Sequence, residues 1–85
     1  MTPIIKVIVP AFNEQDSIGK VIGDIPKIVD EIIVISNNST DKTAENAKKA
    51  GATVLFENRK GYGYACLKGM DYIAQKEKHQ KLLFF

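Results

Sequence analysis

Three short polar segments of this 85-residue chain carry the side chains that could bind a ligand. Each segment follows an apolar run typical of a strand and precedes a pattern typical of a helix. In an open parallel sheet, such turns all lie at the edge where ligands bind. We therefore expect one binding site, lined by Pro10-Ala11-Phe12-Asn13-Glu14, Asn37-Asn38-Ser39-Thr40-Asp41-Lys42-Thr43 and Asn58-Arg59-Lys60-Gly61-Tyr62-Gly63-Tyr64-Ala65.

The first segment combines a flat surface with a carboxylate. Pro10 has no N–H to donate, which suits the end of a strand. Pro10, Ala11 and Phe12 could form a flat surface for a nucleoside, and the Glu14 carboxylate could accept hydrogen bonds from sugar hydroxyls. The alternative is structural: a capped helix start, in which Glu14 interacts with the positive end of the helix dipole.

The second segment is rich in amide and hydroxyl side chains. A side-chain amide can read the edge of a base through paired donor and acceptor bonds, and Asn37 is the candidate for this role. The same residue types are also preferred in turns and at helix starts. We assign Asp41 and Thr43 to that structural role.

The third segment places Arg59 and Lys60 beside Gly61 and Gly63. Glycine permits close approach of the backbone, and the start of a helix attracts phosphate. The basic pair could neutralise a diphosphate. The pattern is neither the dinucleotide fingerprint nor the triphosphate-binding loop, so a flexible helix start with surface charges remains the alternative.

Apolar runs alternate with helical patterns along the whole chain and predict the order β-α-β-α-β-α-β. Such crossovers give a parallel sheet. We therefore predict an α/β fold with three layers, a Rossmann-like sheet with helices on both faces. Strands are predicted at 4–10, 31–36, 52–56 and 81–85.

The helices are predicted from their spacing and from their end signals. Asn13 is expected to cap the first helix, Ser39 or Thr40 to cap the second, and Gly51 to end the second. The first helix should bury one apolar face, made by Ile18, Val21, Ile22 and Ile25. The third helix, within residues 61–78, should bury Cys66, Met70, Ile73 and Ala74.

Composition narrows the class of protein. With 45% hydrophobic and 26% charged residues the chain should fold, and a net charge of +2 without a basic block argues against nucleic acid as the main partner.

The single cysteine, Cys66, excludes an internal disulfide and is expected to be buried. The only histidine, His79, is expected at an exposed helix end, so no metal site of the usual spacing is predicted. No signal peptide and no membrane span is indicated, and a cytoplasmic location is expected.

The chain ends in an apolar segment, Leu82 to Phe85. An exposed apolar strand would leave a sheet edge open for pairing. We therefore expect residues 1–85 to be a half-domain, either the first half of a longer protein or a half that pairs with a partner, and we expect self-association through this last strand.

Taken together, the motifs resemble those of the inverting nucleotide-sugar glycosyltransferases of family 2, which have the GT-A type of fold. Members open with Val-Ile-Pro-Ala-Tyr/Phe-Asn-Glu, and this chain reads Val-Ile-Val-Pro-Ala-Phe-Asn-Glu over residues 7–14. The second block, Asp-Asp/Asn-Gly/Asn-Ser-x-Asp-x-Thr, is similar to residues 36–43. The third block is similar to residues 58–69, where Lys-Gly-Tyr-Gly-Tyr-Ala looks most like members resembling dolichyl-phosphate mannosyltransferase.

The resemblance implies a donor substrate, a nucleotide-diphosphate sugar, and transfer to an acceptor hydroxyl or a lipid phosphate, which would be membrane-associated. Lys60 and Gly61 would lie near the base or the diphosphate, and Asn37 takes a position where members often use an acid to bind the base. The nucleoside would be contacted by the first block, through Pro10, Ala11, Phe12 and Glu14.

Two departures from the family pattern matter. Ser36 and Asn37 stand where members have acids, which changes how a base would be recognised. The Asp-x-Asp motif that holds Mg²⁺ or Mn²⁺ in the complete enzyme should follow the fourth strand and would lie beyond Phe85, as would the catalytic base. No catalytic residue and no metal ligand is therefore assigned here, and the isolated chain is expected to bind weakly and to transfer no sugar.

Two other functions remain open from the sequence. One is a non-catalytic nucleotide-binding or interaction module with the same Rossmann-like fold. The other is a nucleotidyltransferase, although its glycine-rich basic loop would follow the first strand, where this chain has residues 10–14 instead.

Overall fold

A computed structural model of the protein describes residues 4–75 and, as backbone, residues 80–84. Strands and helices alternate along the chain as predicted. The order is β1 (Ile4–Ala11), α1 (Ile18–Asp24), β2 (Glu31–Ser36), α2 (Thr43–Lys49), β3 (Thr53–Phe56), α3 (Tyr62–Ala74) and β4 (Gln80–Phe84). The predictions for His79 and Phe85 fall outside the described residues.

The four strands form one sheet in the order β3-β2-β1-β4, and every neighbouring pair is parallel. Ala11 lies opposite Ser36, and Ser36 lies opposite Phe56. β1, β2 and β3 therefore end level with one another, and the loops that follow them lie side by side at one edge of the sheet. This confirms the predicted parallel sheet.

Helices cover both faces of the sheet, so the predicted three-layer fold is confirmed. On one face, Val7, Val9 and Ala11 of β1 pack against α1 and α2, through Ile18, Ile22, Ile25 and Ala47. On the other face α3 packs, through Ala65 and Ile73, against the side chains of Ile8, Ile33 and Ile35. The alternation of side chains along each strand supplies both cores, because the inner strands are apolar on both faces.

The predicted caps of the first two helices are wrong. α1 begins at Ile18, and Asn13 adopts a positive φ of 49° in the loop before it. α2 begins at Thr43, and neither Ser39 nor Thr40 caps it. All three side chains take partners in the neighbouring loop instead, because hydrogen bonds between loops compete with local caps. Gly51, with a φ of 98°, ends the second helix as predicted.

The buried face of α3 differs from the predicted one. Ala65, Gly69 and Ile73 face the sheet, whereas Met70 is 42% exposed. Ala74 is also exposed, and Cys66 is half-buried rather than buried. Two small residues of this face, Ala65 and Gly69, allow the helix to lie close to the sheet, and a Cβ at position 69 would meet Ile8 of β1.

An ion pair joins the first two strands on the α3 face. Lys6 is 6% exposed, and its Nζ lies 3.1 Å from Oε1 of Glu31. Oε2 of Glu31 accepts hydrogen bonds from Oγ1 of Thr53 and from the hydroxyl of Tyr72, both at 2.8 Å. This network ties α3 and the three strands β1, β2 and β3 together.

Candidate functional site

Three adjacent loops form the edge of the sheet where the site was predicted. We call residues 12–17 the first loop, residues 37–42 the second loop and residues 57–61 the third loop. The sheet ladder continues into them: Asn37 N donates to Ala11 O at 2.8 Å, and Glu57 N donates to Ser36 O at 3.1 Å. These backbone bonds hold the second loop to the end of β1 and the third loop to the end of β2.

The first and second loops are joined by hydrogen bonds in both directions. The backbone N–H of Asn13 donates to Oγ of Ser39 at 3.0 Å, and Oδ1 of Asn13 accepts from the backbone N–H of Thr40 at 2.9 Å. The positive φ of Asn13 turns the chain so that both bonds form together. An asparagine tolerates this conformation better than most residues.

Gln15 extends this connection to α2. Its N–H donates to Oδ2 of Asp41 at 3.2 Å, and its Oε1 accepts from the N–H of Lys42 at 3.1 Å. Asn46 of α2 donates through Nδ2 to the carbonyl oxygen of Gln15 at 2.9 Å. No local pattern indicated a role for Gln15, because its partners lie at least 26 positions away in sequence.

Thr43 supports the first loop through its side-chain hydroxyl. Its hydroxyl is fully buried, accepts a hydrogen bond from the backbone N–H of Glu14 at 2.8 Å, and donates to Oδ1 of Asp41. The hydrogen bond from the Thr43 hydroxyl, assisted by backbone N–H groups, lowers the pKa of Asp41. Asp41 and Thr43 thus have the structural role assigned to them, in joining two loops as well as in starting α2.

Asn37 fixes the third loop. Its side chain is nearly buried, and Nδ2 donates to the carbonyl oxygen of Glu57 at 3.1 Å and to that of Arg59 at 2.7 Å. Its Oδ1 accepts from the backbone N–H of Gly61 at 3.1 Å. Asn38, with a φ of 62°, adds an exposed bond from Nδ2 to the carbonyl oxygen of Asn58 at 2.9 Å.

The two basic residues of the third loop have different surroundings. The guanidinium of Arg59 forms an ion pair with the buried Glu57 at 2.9 Å and lies 4.5 Å from the centre of the Tyr64 ring. Hydrogen bonds from the Arg59 side chain and backbone lower the pKa of Glu57 to about 2. Within residues 4–75, Lys60 makes no ion pair, so its charge stays available to a ligand. The charge of Arg59 is already neutralised by Glu57. The sequence contains a signal for this pairing that the motifs did not reveal, namely an acid two positions before Arg59.

Five of the seven predicted site residues line one of two hollows, which lie beside helices on opposite faces of the sheet. The first hollow, of about 310 Å³, is bounded by α1 and contains Glu14. The second, of about 300 Å³, is bounded by α3 and contains Lys60. Volumes of this size suit a small ligand. The first is lined by Val9, Pro10, Ala11, Glu14, Ile18 and Val21, and the second by Lys60, Gly61, Gly63, Tyr64 and Leu67.

Asn37 lies between the two hollows, since it bonds to Ala11 on one side and to Gly61 on the other. Phe12 lines neither hollow and is 58% exposed at the same edge. Oε2 of Glu14 accepts from the Ser17 hydroxyl at 2.8 Å, and within residues 4–75 its Oε1 has no hydrogen-bond partner. The structure thus brings the predicted residues to one edge, and their contact with a nucleotide stays a prediction.

Neither a metal cluster nor a membrane span is found in the part of the chain that the structure describes. No group of three histidine, cysteine, aspartate or glutamate side chains lies close enough there to hold a metal ion. The described helices are all too short or too polar to cross a bilayer.

Comparison with known proteins identifies the family. The family model described as glycosyl transferase family 2 matches residues 6–77. Protein RfbJ of Shigella flexneri is 49% identical over 61 residues, which cover 69% of this chain and 47% of that protein. The dolichyl-phosphate hexose transferase of Haloferax volcanii is 39% identical over 62 residues, which cover 69% of this chain and 27% of that protein.

A solved structure shares the fold. Glucosyl-3-phosphoglycerate synthase of Mycobacterium tuberculosis, in complex with Mn²⁺, UDP and glucosyl-3-phosphoglycerate, matches with a TM-score of 0.81 and 28% identity. The match covers 98% of this chain and 33% of that one. The chain thus spans less than half the length of these relatives. Its fold is the Rossmann-like GT-A fold that the motifs predicted, its relatives are glycosyltransferases, and the chain belongs to glycosyl transferase family 2.

Proposed function

We propose that this chain provides the donor-binding surface of a glycosyltransferase that uses a nucleotide-diphosphate sugar. The observation that carries the proposal is the joined set of three loops, which brings Glu14, Asn37 and Lys60 to one edge of the sheet. The complexes of glucosyl-3-phosphoglycerate synthase with UDP and Mn²⁺ or Mg²⁺ support a donor of this class.

The groups at this edge of the sheet suit different parts of the donor. The exposed ring of Phe12 offers an apolar face to the nucleoside, together with Pro10 and Ala11. Oε1 of Glu14 accepts hydrogen bonds from sugar hydroxyls. Lys60 and the start of α3, where Gly61 has a φ of 127°, attract the diphosphate.

In the complete enzyme we propose displacement with inversion. The acceptor oxygen bonds to the anomeric carbon while the bond from that carbon to the diphosphate oxygen breaks, and the diphosphate keeps the electron pair. A phosphate acceptor reacts as its anion, whereas a hydroxyl acceptor gives its proton to a base of the complete enzyme. The positive charge of Lys60 would stabilise that leaving group. The dolichyl-phosphate hexose transferase among the relatives supports a lipid phosphate as acceptor, and the complexes of glucosyl-3-phosphoglycerate synthase support a phosphorylated small molecule.

A divalent metal belongs to this proposal only for the complete enzyme. The residues described here offer no cluster that fits Mg²⁺ or Mn²⁺, so no step is assigned to a metal on this chain.

We further propose that the 85-residue chain alone transfers no sugar and that the enzyme works in the cytoplasm. We also propose that the chain self-associates through β4, an outer strand of the sheet. Light scattering at rising concentration tests the last point, and a constant monomer mass would contradict it.

Titration of the isotope-labelled chain with UDP, UDP-glucose and GDP, each with and without Mn²⁺, tests the donor site. We expect the amide signals of Phe12, Glu14 and Gly61 to shift in at least one titration. Signals that shift only at the far end of α3, near Ala74, would contradict the proposal.

A matched pair of variants sharpens the test. Glu14→Gln removes an acceptor charge at the site, and Glu45→Gln makes the same change on the exposed start of α2. Since a hydrogen bond to a charged group contributes about 1.5–3 kcal/mol, we expect Glu14→Gln to weaken nucleotide-sugar binding by roughly tenfold or more. Glu45→Gln should leave binding unchanged, and equal effects of the two variants would contradict a direct role for Glu14.

A further inference from the structure

The side chain of Asn37 makes three hydrogen bonds to the backbone of one loop. Its two N–H groups donate to the carbonyl oxygens of Glu57 and Arg59, and its oxygen accepts from the N–H of Gly61. The bond to Glu57 is buried, in contrast to the exposed bond that Asn38 makes to Asn58. Asn37 therefore holds both ends of the third loop at once.

These contacts need an amide. An asparagine side chain has two donor hydrogens and an acceptor oxygen, whereas an ionised aspartate can only accept. Aspartate at position 37 would place a carboxylate oxygen against the carbonyl oxygens of Glu57 and Arg59. Serine would offer a single donor on a shorter side chain. An ionised acid at this position, as in the family members that the motifs resemble, could not make the two donor contacts.

We propose that Asn37 is a positioning residue, which sets the shape of the third loop and so places Lys60 and Gly61 toward the donor. This inference rests on the proposed function and changes the role first assigned to Asn37. Both donor hydrogens are occupied by the loop, so Asn37 acts on the nucleotide through the loop and not as a donor to the base.

The backbone around Gly61 explains why the anchor matters. Gly61 has a φ of 127°, a conformation open to glycine that leaves the loop several alternatives, and its N–H donates to Oδ1 of Asn37. Arg59, on the other side of Lys60, is held by the shortest of the three bonds, at 2.7 Å. Lys60 is thus fixed between two residues that the same side chain holds.

The test uses the 85-residue chain and begins without ligand. Scalar coupling across hydrogen bonds detects directly whether Nδ2 of Asn37 donates to the carbonyl groups of Glu57 and Arg59. We expect this coupling in the free chain, and we expect it to persist when saturating UDP is added. Its loss on addition of UDP, with new contacts of Nδ2 to the nucleotide, would overturn the proposal.

Two variants then separate positioning from direct reading of the base. Asn37→Asp keeps the size of the side chain and removes its donors, and Asn38→Asp makes the same change at the neighbouring exposed residue. We expect Asn37→Asp to move the amide signals of residues 58–61 and to weaken UDP binding by roughly tenfold or more, because the bonds to Glu57 and Arg59 are lost. Asn38→Asp should change each quantity by roughly twofold at most.

The outcomes distinguish this proposal from the one on which it rests. Weaker UDP binding with unchanged loop signals would overturn positioning and favour direct contact. Altered loop signals in a chain whose wild type binds no nucleotide would leave the anchor in place and reject the donor site. If Asn37→Asp does not fold, Asn37→Ser takes its place, and unchanged exchange at Gly61 in that variant would also overturn the proposal.

Discussion

A methyl group at Gly69 of α3 would lie 2.8 Å from Cγ2 of Ile8 in β1, closer than side-chain carbons approach one another. Ile8 is fully buried between α3 and the neighbouring strands, so it has little room to move aside. This contact sets how close α3 lies to the sheet. It explains why Ala65, Gly69 and Ile73, and not Met70, form the buried face of the helix.

We predict that Gly69→Ala destabilises the chain even though alanine favours helices. Overpacking against Ile8 should lower the free energy of unfolding by about 1–3 kcal/mol. Urea unfolding measures this, with Gly23→Ala in α1 as the control, because a Cβ there meets nothing within 4 Å. The control should be neutral or stabilising by up to about 1 kcal/mol. A Gly69→Ala variant as stable as the control would show that α3 can move away from β1 at little cost.

Lys6→Met tests the ion pair between β1 and β2. It removes the cation that lies 3.1 Å from Glu31 and should lower the free energy of unfolding by about 1–3 kcal/mol, less than for a fully buried pair because Glu31 is a quarter exposed. Lys20→Met, at an exposed position of α1, is the control and should change little. If both variants unfold at the same urea concentration, the pair contributes nothing measurable.

The same variant should change the response to acid. Burial alone would raise the pKa of Glu31, but the hydrogen bonds of its three partners outweigh burial and leave the pKa lowered. Because the pKa of Glu31 is lowered in the folded state, its ionised carboxylate stabilises the fold at pH values above the ordinary pKa of 4.5. This stability is lost as the pH falls through the folded-state pKa. Without Lys6 the folded-state pKa of Glu31 should lie closer to 4.5, so less stability should be lost on acidification and the loss should be complete at a higher pH, which unfolding curves at several pH values would detect.

Arg59→Met should raise the pKa of Glu57 from about 2 toward its ordinary value of 4.5. Hydrogen bonds from the Arg59 side chain are the main cause of the lowered pKa, so the carboxylate should protonate more easily without them, although the backbone N–H of residue 59 still donates to it. The stability that Glu57 contributes is present above pH 4.5 and is lost as the pH falls to about 2. The carboxyl carbon signal, followed by NMR against pH, gives the midpoint. Lys60→Met serves as the neighbouring control. An equal rise of the Glu57 pKa in Lys60→Met would assign the effect to the change in net charge.

Thr43→Val keeps the shape of the side chain and removes its buried hydroxyl. The N–H of Glu14 then loses its acceptor, so we expect a loss of about 1–3 kcal/mol in the free energy of unfolding and faster hydrogen exchange at Glu14. Thr40→Val is the control, since the exposed Thr40 hydroxyl lies 3.4 Å from its acceptor in Asn13. It should cost less than about 0.5 kcal/mol. Similar exchange at Glu14 in both variants would argue that another group supports the first loop.

The sheet could be predicted because its signal is local. Runs such as Ile32 to Ile35 are apolar at every position, and strands covered on both faces have this pattern. The caps could not be predicted, because Asn13 finds its partners 26 and 27 residues away. The face of α3 was missed for a similar reason, since the preference for Gly69 over Met70 depends on Ile8 in another element.

The sequence predicts where the site residues lie, but it predicts their hydrogen-bond partners less well. Parallel topology alone brings Glu14, Asn37 and Lys60 to one edge. The partners of each side chain depend on the fold, and three backbone groups of the third loop surround Asn37. By contrast, the pairing of Arg59 with Glu57 could have been predicted, because an acid at the end of a strand stands two positions before a base.

The bonds that shape the first loop have a consequence for synthesis of the protein. Asn46 is the most distant of its partners along the chain, so a nascent polypeptide that has not yet exposed Asn46 lacks part of the scaffold around Gln15. Contacts of such long range form late, after the costly closure of the intervening chain. On the proposed function, a ribosome-bound intermediate with β1 and α1 alone would therefore not bind the nucleotide, and affinity would arise only once the sheet has assembled.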